Sequence, residues 1–228
     1  MSSLYVIADQ IKRDQLTPAE KRRVQISRLQ DSCFVCQMCE LGRMKHQERN
    51  QVFDPHVFSN MNESRYFVLG QNPGFNECLQ GQPFVGDAGR NFNAEIEKYG
   101  ISRDSLYIGN MVKCHSPANR VPAAEEVMAC EPFLKMEIAI LKPKLIIALG
   151  AFAFSALRQD EETIYSDVVG KPMKTKYGVP AFVVYHPSPR NLEVTERRNA
   201  FKKQIAIVCA LIKRIEGGAL EDNLSEIS

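Results

Sequence analysis

No apolar run in this 228-residue chain approaches the ~20 residues that a membrane-spanning helix needs, so no membrane partner is expected. The opening Met1-Ser2-Ser3-Leu4-Tyr5 lacks the charged n-region and long apolar h-region of a secretory leader. A surplus of one charge sign is missing too. The 29 Lys and Arg against 27 Asp and Glu leave a formal +2, so a nucleic-acid footprint has to come from local clustering. Internal repeats are absent. Seven cysteines, an odd number, suit no disulfide framework; with no leader they point to a reducing, cytoplasmic compartment and leave thiols available to a metal. What is present is ordinary for a soluble globule: 44% hydrophobic and 25% charged residues, enough to bury a full core in one domain.

Hydrophobic periodicity divides the chain into alternating strands and helices. Residues 5–31 read as helical, with Pro18 and Glu20 at a helix start after Thr17, and the cysteine cluster Cys33–Cys39 follows. A polar, irregular passage from Lys45 to Glu63 leads to a strand over Arg65–Leu69. Ala88–Tyr99 is an amphipathic helix stopped by Gly100, Leu106–Val112 a second strand, and Pro122–Leu141 a long helix. Leu145–Leu149 is wholly apolar, as a central parallel strand buried on both faces should be. A short helix follows over Ala151–Arg158, then an excursion or hairpin over 159–180, a strand over Ala181–Tyr185 and a closing helix over Glu196–Ile215. This alternation predicts an α/β fold with a parallel sheet covered on both faces. One domain is expected over residues 1–215, its first 45 residues forming an N-terminal segment, with an acidic tail over 216–228.

The most informative stretch runs from Val68 to Gly89. An apolar strand ends in Gly70-Gln71-Asn72-Pro73-Gly74, and a second glycine-rich loop, Gly81 to Gly89, delivers Phe84 before a helix. Ligands of α/β proteins bind at the carboxyl ends of strands, so Gln71 and Asn72 should stand at a pocket mouth beside an aromatic plate. With Gly109-Asn110-Met111-Val112-Lys113-Cys114, Asn119-Arg120-Val121-Pro122, Leu145–Gly150 and His186-Pro187-Ser188, in this order, the chain resembles the uracil-DNA glycosylase superfamily, nearest to its iron–sulfur branch, family 4. The resemblance covers roughly Cys36 to Leu192 and implies a three-layer α/β/α sandwich around a four-stranded parallel sheet.

Cys36, Cys39, Cys114 and Cys130 match the cluster pattern of that branch, with Leu41 at its usual leucine position. Pure cysteine ligation suits zinc or a 4Fe–4S cluster alike, and the resemblance favours the 4Fe–4S cluster, tying down the N-terminal helical segment. Cys33 forms an alternative Cys-x-x-Cys pair with Cys36; Cys33, Cys78 and Cys209 otherwise read as small buried hydrophobes.

The resemblance also assigns roles. Phe84 would stack on an everted base, Asn110 read its edge and His186 donate to the departing base, while Gln71 walls the pocket. The chain departs from the iron–sulfur branch at Gln71-Asn72, where Glu-Ala is usual, and Asn72 is therefore expected to hold the attacking water. Superfamily members strict for uracil often carry tyrosine at the position of Gly74, so a 5-modified pyrimidine, such as a hydroxymethylated or glycosylated base of phage DNA, is admissible here. Glu77 matches a family acidic position. Arg120, Ser188 and Arg190 would contact DNA; Arg197, Arg198, Lys202 and Lys203 would extend that phosphate track or, as is more usual for charges on a terminal helix, form a solvated face. The expectation is a monomeric, monofunctional DNA glycosylase acting in repair or in phage defence. A catalytically silent DNA-binding protein on the same fold is the alternative.

Overall fold

The structure, a computed structural model, describes residues 16–44 and 46–218. The N-terminal reading from residue 5 and most of the acidic tail lie outside these residues. The first helix among the described residues, α1 (Pro18–Phe34), starts where its capping box dictates: Glu20 N–H donates to Thr17 Oγ1 at 3.3 Å, and Thr17 N–H donates to Glu20 Oε2 at 2.7 Å. A one-turn helix α2 (Glu40–Arg43) follows, then a small antiparallel hairpin of β1 (His46–Glu48) and β2 (Gln51–Phe53) inside the passage expected to be irregular.

The alternating part of the chain comprises β3 (Tyr66–Gly70), α3 (Phe75–Gln80), α4 (Asp87–Glu97), β4 (Tyr107–Asn110), α5 (Ala124–Leu141), β5 (Leu145–Leu149) and α6 (Gly150–Leu157). It closes with α7 (Tyr165–Val168), β6 (Pro172–Lys174), β7 (Pro180–Val184), α8 (Pro189–Leu192) and α9 (Thr195–Glu216). The sheet order is β4-β3-β5-β7-β6. Four strands are parallel, as expected, and β6 adds a fifth, antiparallel edge supplied by the excursion.

Alternation along the strands sorts the core into two layers. Phe67, Leu69, Tyr107, Ile146 and Val183 face α1, α5 and α6 on one side. Tyr66, Val68, Ile108, Ile147 and Val184 face α4 and α9 on the other. Every residue of β3 and β5 is buried, so a one-residue slip would exchange the two packed faces, and register is strongly specified. The chain leaves β3 toward β4 on one side and β5 toward β7 on the other. The adjacent carboxyl ends of β3 and β5 therefore form a topological switch point, where α/β sheets open a crevice.

Candidate active site

A cleft of about 1170 Å³ occupies that crevice. Gln71, Asn72 and Gly74 reach it from the loop after β3, and Asn110 from the end of β4. His186, Ser188 and Arg190 reach it from the segment after β7, and Phe84 from the loop before α4. Eight of the nine residues expected to touch base or DNA thus line a single hollow.

Local backbone requirements explain how Phe84 gets there. Its φ of +53° is a left-handed conformation uncommon for a bulky residue, and it is held from several sides. Arg103 Nη1 donates to the Phe84 carbonyl at 3.0 Å, and Glu77 Oε1 accepts from the N–H groups of Val85 and Gly86 at 2.9 and 2.7 Å. Gly89 lets α4 close on the Phe84 backbone, since a Cβ there would collide with the Phe84 carbonyl. At the end of β3, a Cβ on Gly70 would meet the Phe84 ring at 2.5 Å and collide with Asn110 Oδ1. Ring and amide therefore lean over the same glycine.

Asn110 is 1% exposed, and its Oδ1 has no hydrogen-bond partner among the described residues. A buried acceptor left unpaired costs about 1–3 kcal/mol unless a ligand supplies a donor. Asn72 Nδ2 donates to the Pro73 carbonyl at 3.1 Å, which leaves its Oδ1 as the end available to other partners. His186 is half-buried, and burial pushes its imidazole down to about 4, so at neutral pH the ring is uncharged and carries one N–H donor. Its loop is pinned: Asn191 Nδ2 donates to the His186 carbonyl at 3.1 Å, and Asn91 Nδ2 to the Pro187 carbonyl at 2.9 Å. Gly150, with φ of +87°, sits so close that a Cβ would stand 2.9 Å from His186 Cβ.

Arg120 stands outside the cleft. Its guanidinium is bidentate to Glu126 at 2.8 and 2.6 Å, and Glu126 Oε2 also accepts from Ala123 N–H at 2.7 Å, so the trio stitches the start of α5. Its neighbour Asn119 lines the cleft instead. Among the lining residues that carry no expectation from sequence are Arg49 on the turn of the β1–β2 hairpin, its guanidinium 4.7 Å from the Phe75 ring centroid, and the edge-to-face pair Tyr165 and Tyr185. Arg197, read as solvated helix face, lines the far lip, while Arg198, Lys202 and Lys203 do not reach it.

On the other side of β4, Cys36, Cys39, Cys114 and Cys130 line a second, smaller hollow, with Cys33 a fifth thiol beside them. No group of three or more His, Cys, Asp or Glu side chains that could hold a metal ion forms among the described residues. The chemistry of the donor set nevertheless suits a soft metal centre. Sulfur predominates and no carboxylate lines the hollow; the one imidazole there, His56, is engaged by Asp54 Oδ1 at 2.6 Å and the Cys36 carbonyl at 3.2 Å, and Lys113 N–H donates to Cys130 Sγ at 3.2 Å, as amides do to cluster thiolates. Burial pushes the Cys33 and Cys114 thiols far up and Cys130 up to about 11, so these sulfurs are protonated unless a cation ionises them. Gly42 permits the tight packing of α2 here, a Cβ at this position standing 2.5 Å from the Cys36 carbonyl.

The switch-point cleft of this α/β sheet thus brings together an aromatic face, an unpaired amide oxygen and a neutral imidazole, an arrangement with the chemistry to hold a flat heterocycle. The family model described as "Uracil DNA glycosylase superfamily" matches residues 56–208. The chain is 38% identical over 126 residues to a type-4 uracil-DNA glycosylase of Thermotoga maritima, 55% of this chain and 66% of that protein. It is 38% identical over 148 residues to one of Pyrobaculum aerophilum, 61% and 74% of the two chains. For one of Saccharolobus solfataricus the identity is 33% over 166 residues, 69% and 73%. The chain belongs to the uracil-DNA glycosylase superfamily. It spans about two thirds to three quarters of the length of these relatives. No helix among the described residues is long and apolar enough to cross a membrane.

Proposed function

We propose that the protein flips a pyrimidine out of DNA and hydrolyses its N-glycosidic bond, leaving an abasic site. The enzyme class, a hydrolase of DNA N-glycosyl bonds, follows from the family; the choice of base rests on the pocket. The observation that carries it is the Asn110 carboxamide, buried, with its oxygen unpaired, against the Phe84 ring. Eversion costs a few kcal/mol, which stacking on an aromatic face and edge hydrogen bonds offset. Asn110 offers one acceptor and one donor side by side, matching N3–H and O4 of uracil, or N4–H and N3 of cytosine.

As the bond from C1′ to the base nitrogen breaks, the electron pair leaves with the base and positive charge grows on the sugar. Neutral His186 donates to the base O2 as negative charge gathers there; a positioned donor of this kind is worth about 2.7–4 kcal/mol. Asn72 holds a water whose oxygen bonds to C1′, and the released proton passes to solvent or the departing base. Ser188, Arg190 and Arg197 at the lip suit the DNA backbone, while Arg120, engaged with Glu126, supports the neighbouring loop. Cys36, Cys39, Cys114 and Cys130 would hold the 4Fe–4S cluster, which supplies a structural crosslink between the α1–α2 segment, the stretch after β4, and α5.

A second reading concerns the base. Gly74 puts no side chain of its own on one wall, where Glu77 Oε2 stands 2.7 Å and Asn119 Oδ1 3.7 Å from the place of a Cβ, so that wall offers polar groups that suit the hydroxyls of a 5-substituted pyrimidine. Base release from matched oligonucleotides carrying uracil, thymine, hydroxymethylated or glucosylated pyrimidines tests both readings. Release of uracil alone rejects the wider pocket, and no release from any of them rejects the activity.

A further inference from the structure

The Pro73 carbonyl accepts two hydrogen bonds, one from Asn72 Nδ2 at 3.1 Å and one from His115 Nδ1 at 3.1 Å. The other ring nitrogen of His115 stands 3.0 Å from Glu48 Oε2, on the hairpin strand β1. His115 is 1% exposed and boxed by aromatic edges, its ring centroid 5.5 Å from Phe53 and 6.1 Å from His46. Glu48, His115, Pro73 and Asn72 therefore form one chain of contacts running from the hairpin to the cleft.

An asparagine amide has two orientations related by a flip, and only one serves a hydrolase. With Oδ1 toward the cleft, the amide accepts a hydrogen from water and leaves a water lone pair free to attack. With Nδ2 toward the cleft, the amide binds the very lone pair the attack requires. A carbonyl that accepts from Nδ2 selects the productive orientation, because the flipped amide would set two oxygens against each other. An aspartate at this position has two equivalent oxygens and needs no such director. We infer that His115, held by Glu48, is a positioning residue that fixes the Pro73 carbonyl and through it the orientation of Asn72. This rests on the proposed role of Asn72 as the holder of water.

The test is a double-mutant cycle on the best substrate of the panel above, with kcat and KM measured for wild type, H115F, H115Q, E48Q, N72D and N72D/H115F. H115F should lower kcat about tenfold, equivalent to ~1.4 kcal/mol, with KM unchanged. H115Q, which keeps a donor for Pro73, should recover most of that loss, and E48Q should fall in between. In the N72D background the same H115F change should alter kcat less than about twofold, because the amide it orients is gone. An equal penalty in both backgrounds, or a change confined to KM, overturns the inference and leaves His115 as packing. If N72D is inactive, the order wild type, H115Q, E48Q, H115F in kcat at constant KM decides instead. Melting temperature and visible absorbance identify a variant that has lost its fold; E48Q, on a partly exposed side chain, then carries the test by the same split of kcat from KM. Undiminished base release by N72A would sink the water-holding role itself, a result separable from all of these.

Discussion

Asn110 and Cys114 stand four positions apart beyond the middle of β4, yet one lines the cleft and the other the thiol hollow. Burial keeps the ionisable groups of both hollows neutral, moving an imidazole down and thiols up, and what differs is the partner each hollow awaits. The cleft holds an amide oxygen with no partner and an imidazole pushed down to about 4, both ready to meet a polar visitor. The thiol hollow pushes its sulfurs up by burial, a condition that a permanently bound cation reverses. On the function proposed above, one short segment then serves two purposes: groups in the cleft would bear on turnover, and groups in the hollow on whether the fold persists.

Lys113 joins the two regions, and its loss should have the largest effect. It is 1% exposed; its Nζ donates to the Asn110 carbonyl at 2.8 Å and pairs with fully buried Glu137, which also accepts from Tyr107 Oη at 2.7 Å. Burial pushes the Glu137 carboxyl up, and Lys113 opposes that shift. Removing one partner of a buried pair costs about 3–5 kcal/mol. K113M should therefore lower melting temperature and kcat together, the one variant that blurs the comparison. K113M/E137M, with no stranded carboxyl, should regain much of the stability. Recovery of stability without recovery of kcat would assign the Asn110 contact to base reading; recovery of neither would rule out the ion pair as the cause.

His186 should show the cleft acting alone. H186A is expected to lower kcat about 10²–10³-fold, with the thermal midpoint at pH 7 nearly unchanged. An unchanged kcat would remove His186 from the chemistry. Stability in acid sharpens the point. The unfolded imidazole takes up a proton near 6.5, and the folded one refuses it until about 4. Stability is thus lost as pH falls through that window, by up to ~1.4 kcal/mol per pH unit for one proton. Denaturant midpoints measured between pH 7 and pH 4 should fall less steeply for H186A than for wild type.

What the sequence made legible follows from how much of each feature is local. The strand Leu145–Leu149 was readable because five consecutive apolar residues, set between Lys144 and Gly150, suit little but a strand buried on both faces. The cleft was readable because one glycine-rich loop follows strand β3 and a second, which carries Phe84, leads into a helix. The β1–β2 hairpin was not. Its strands are three residues long and mostly polar, and its turn puts Arg49 and Asn50 at φ of +52° and +61° without the glycine that usually announces such a turn. The hairpin is held instead by tertiary contacts, Phe53 on His115 and Phe75, and Arg49 on Phe75, which periodicity does not register. Glu77 matches a family acidic position in sequence, but its grip on Val85 and Gly86 across the loop emerges only in three dimensions. Cys33 was ambiguous for a spatial reason as well: it stands in the same hollow as the four expected thiols.

The thiol hollow should answer to C130S with a smaller loss, one of stability alone. A structural metal contributes its binding energy to folding, so a lost ligand should lower the melting temperature by more than about 4 °C, one to two kcal/mol at this chain length. The kcat of the fraction that remains folded should match wild type. A fall in kcat at constant folded fraction would mean that the hollow and the cleft are coupled more tightly than through Lys113. Iron and zinc content of the purified wild type and C130S decides which metal the four thiols prefer.

The smallest effect is expected at Arg120, which the sequence assigns to DNA and the structure engages with Glu126. Its side chain is 43% exposed while that of Glu126 is 2% exposed, so the pair is half-solvated and contributes on the order of 0.2–1 kcal/mol. R120A should shift the melting temperature by no more than about 4 °C. Losing one phosphate contact would reduce the slope of log affinity against log salt by about 0.9, whereas losing only the Glu126 pair would leave that slope unchanged. Titration of the same oligonucleotide at several salt concentrations therefore separates the two roles. An unaltered slope would confine DNA contact to the lip of the cleft, at Ser188, Arg190 and Arg197, and a reduced slope would extend the footprint beyond Asn119 toward the start of α5.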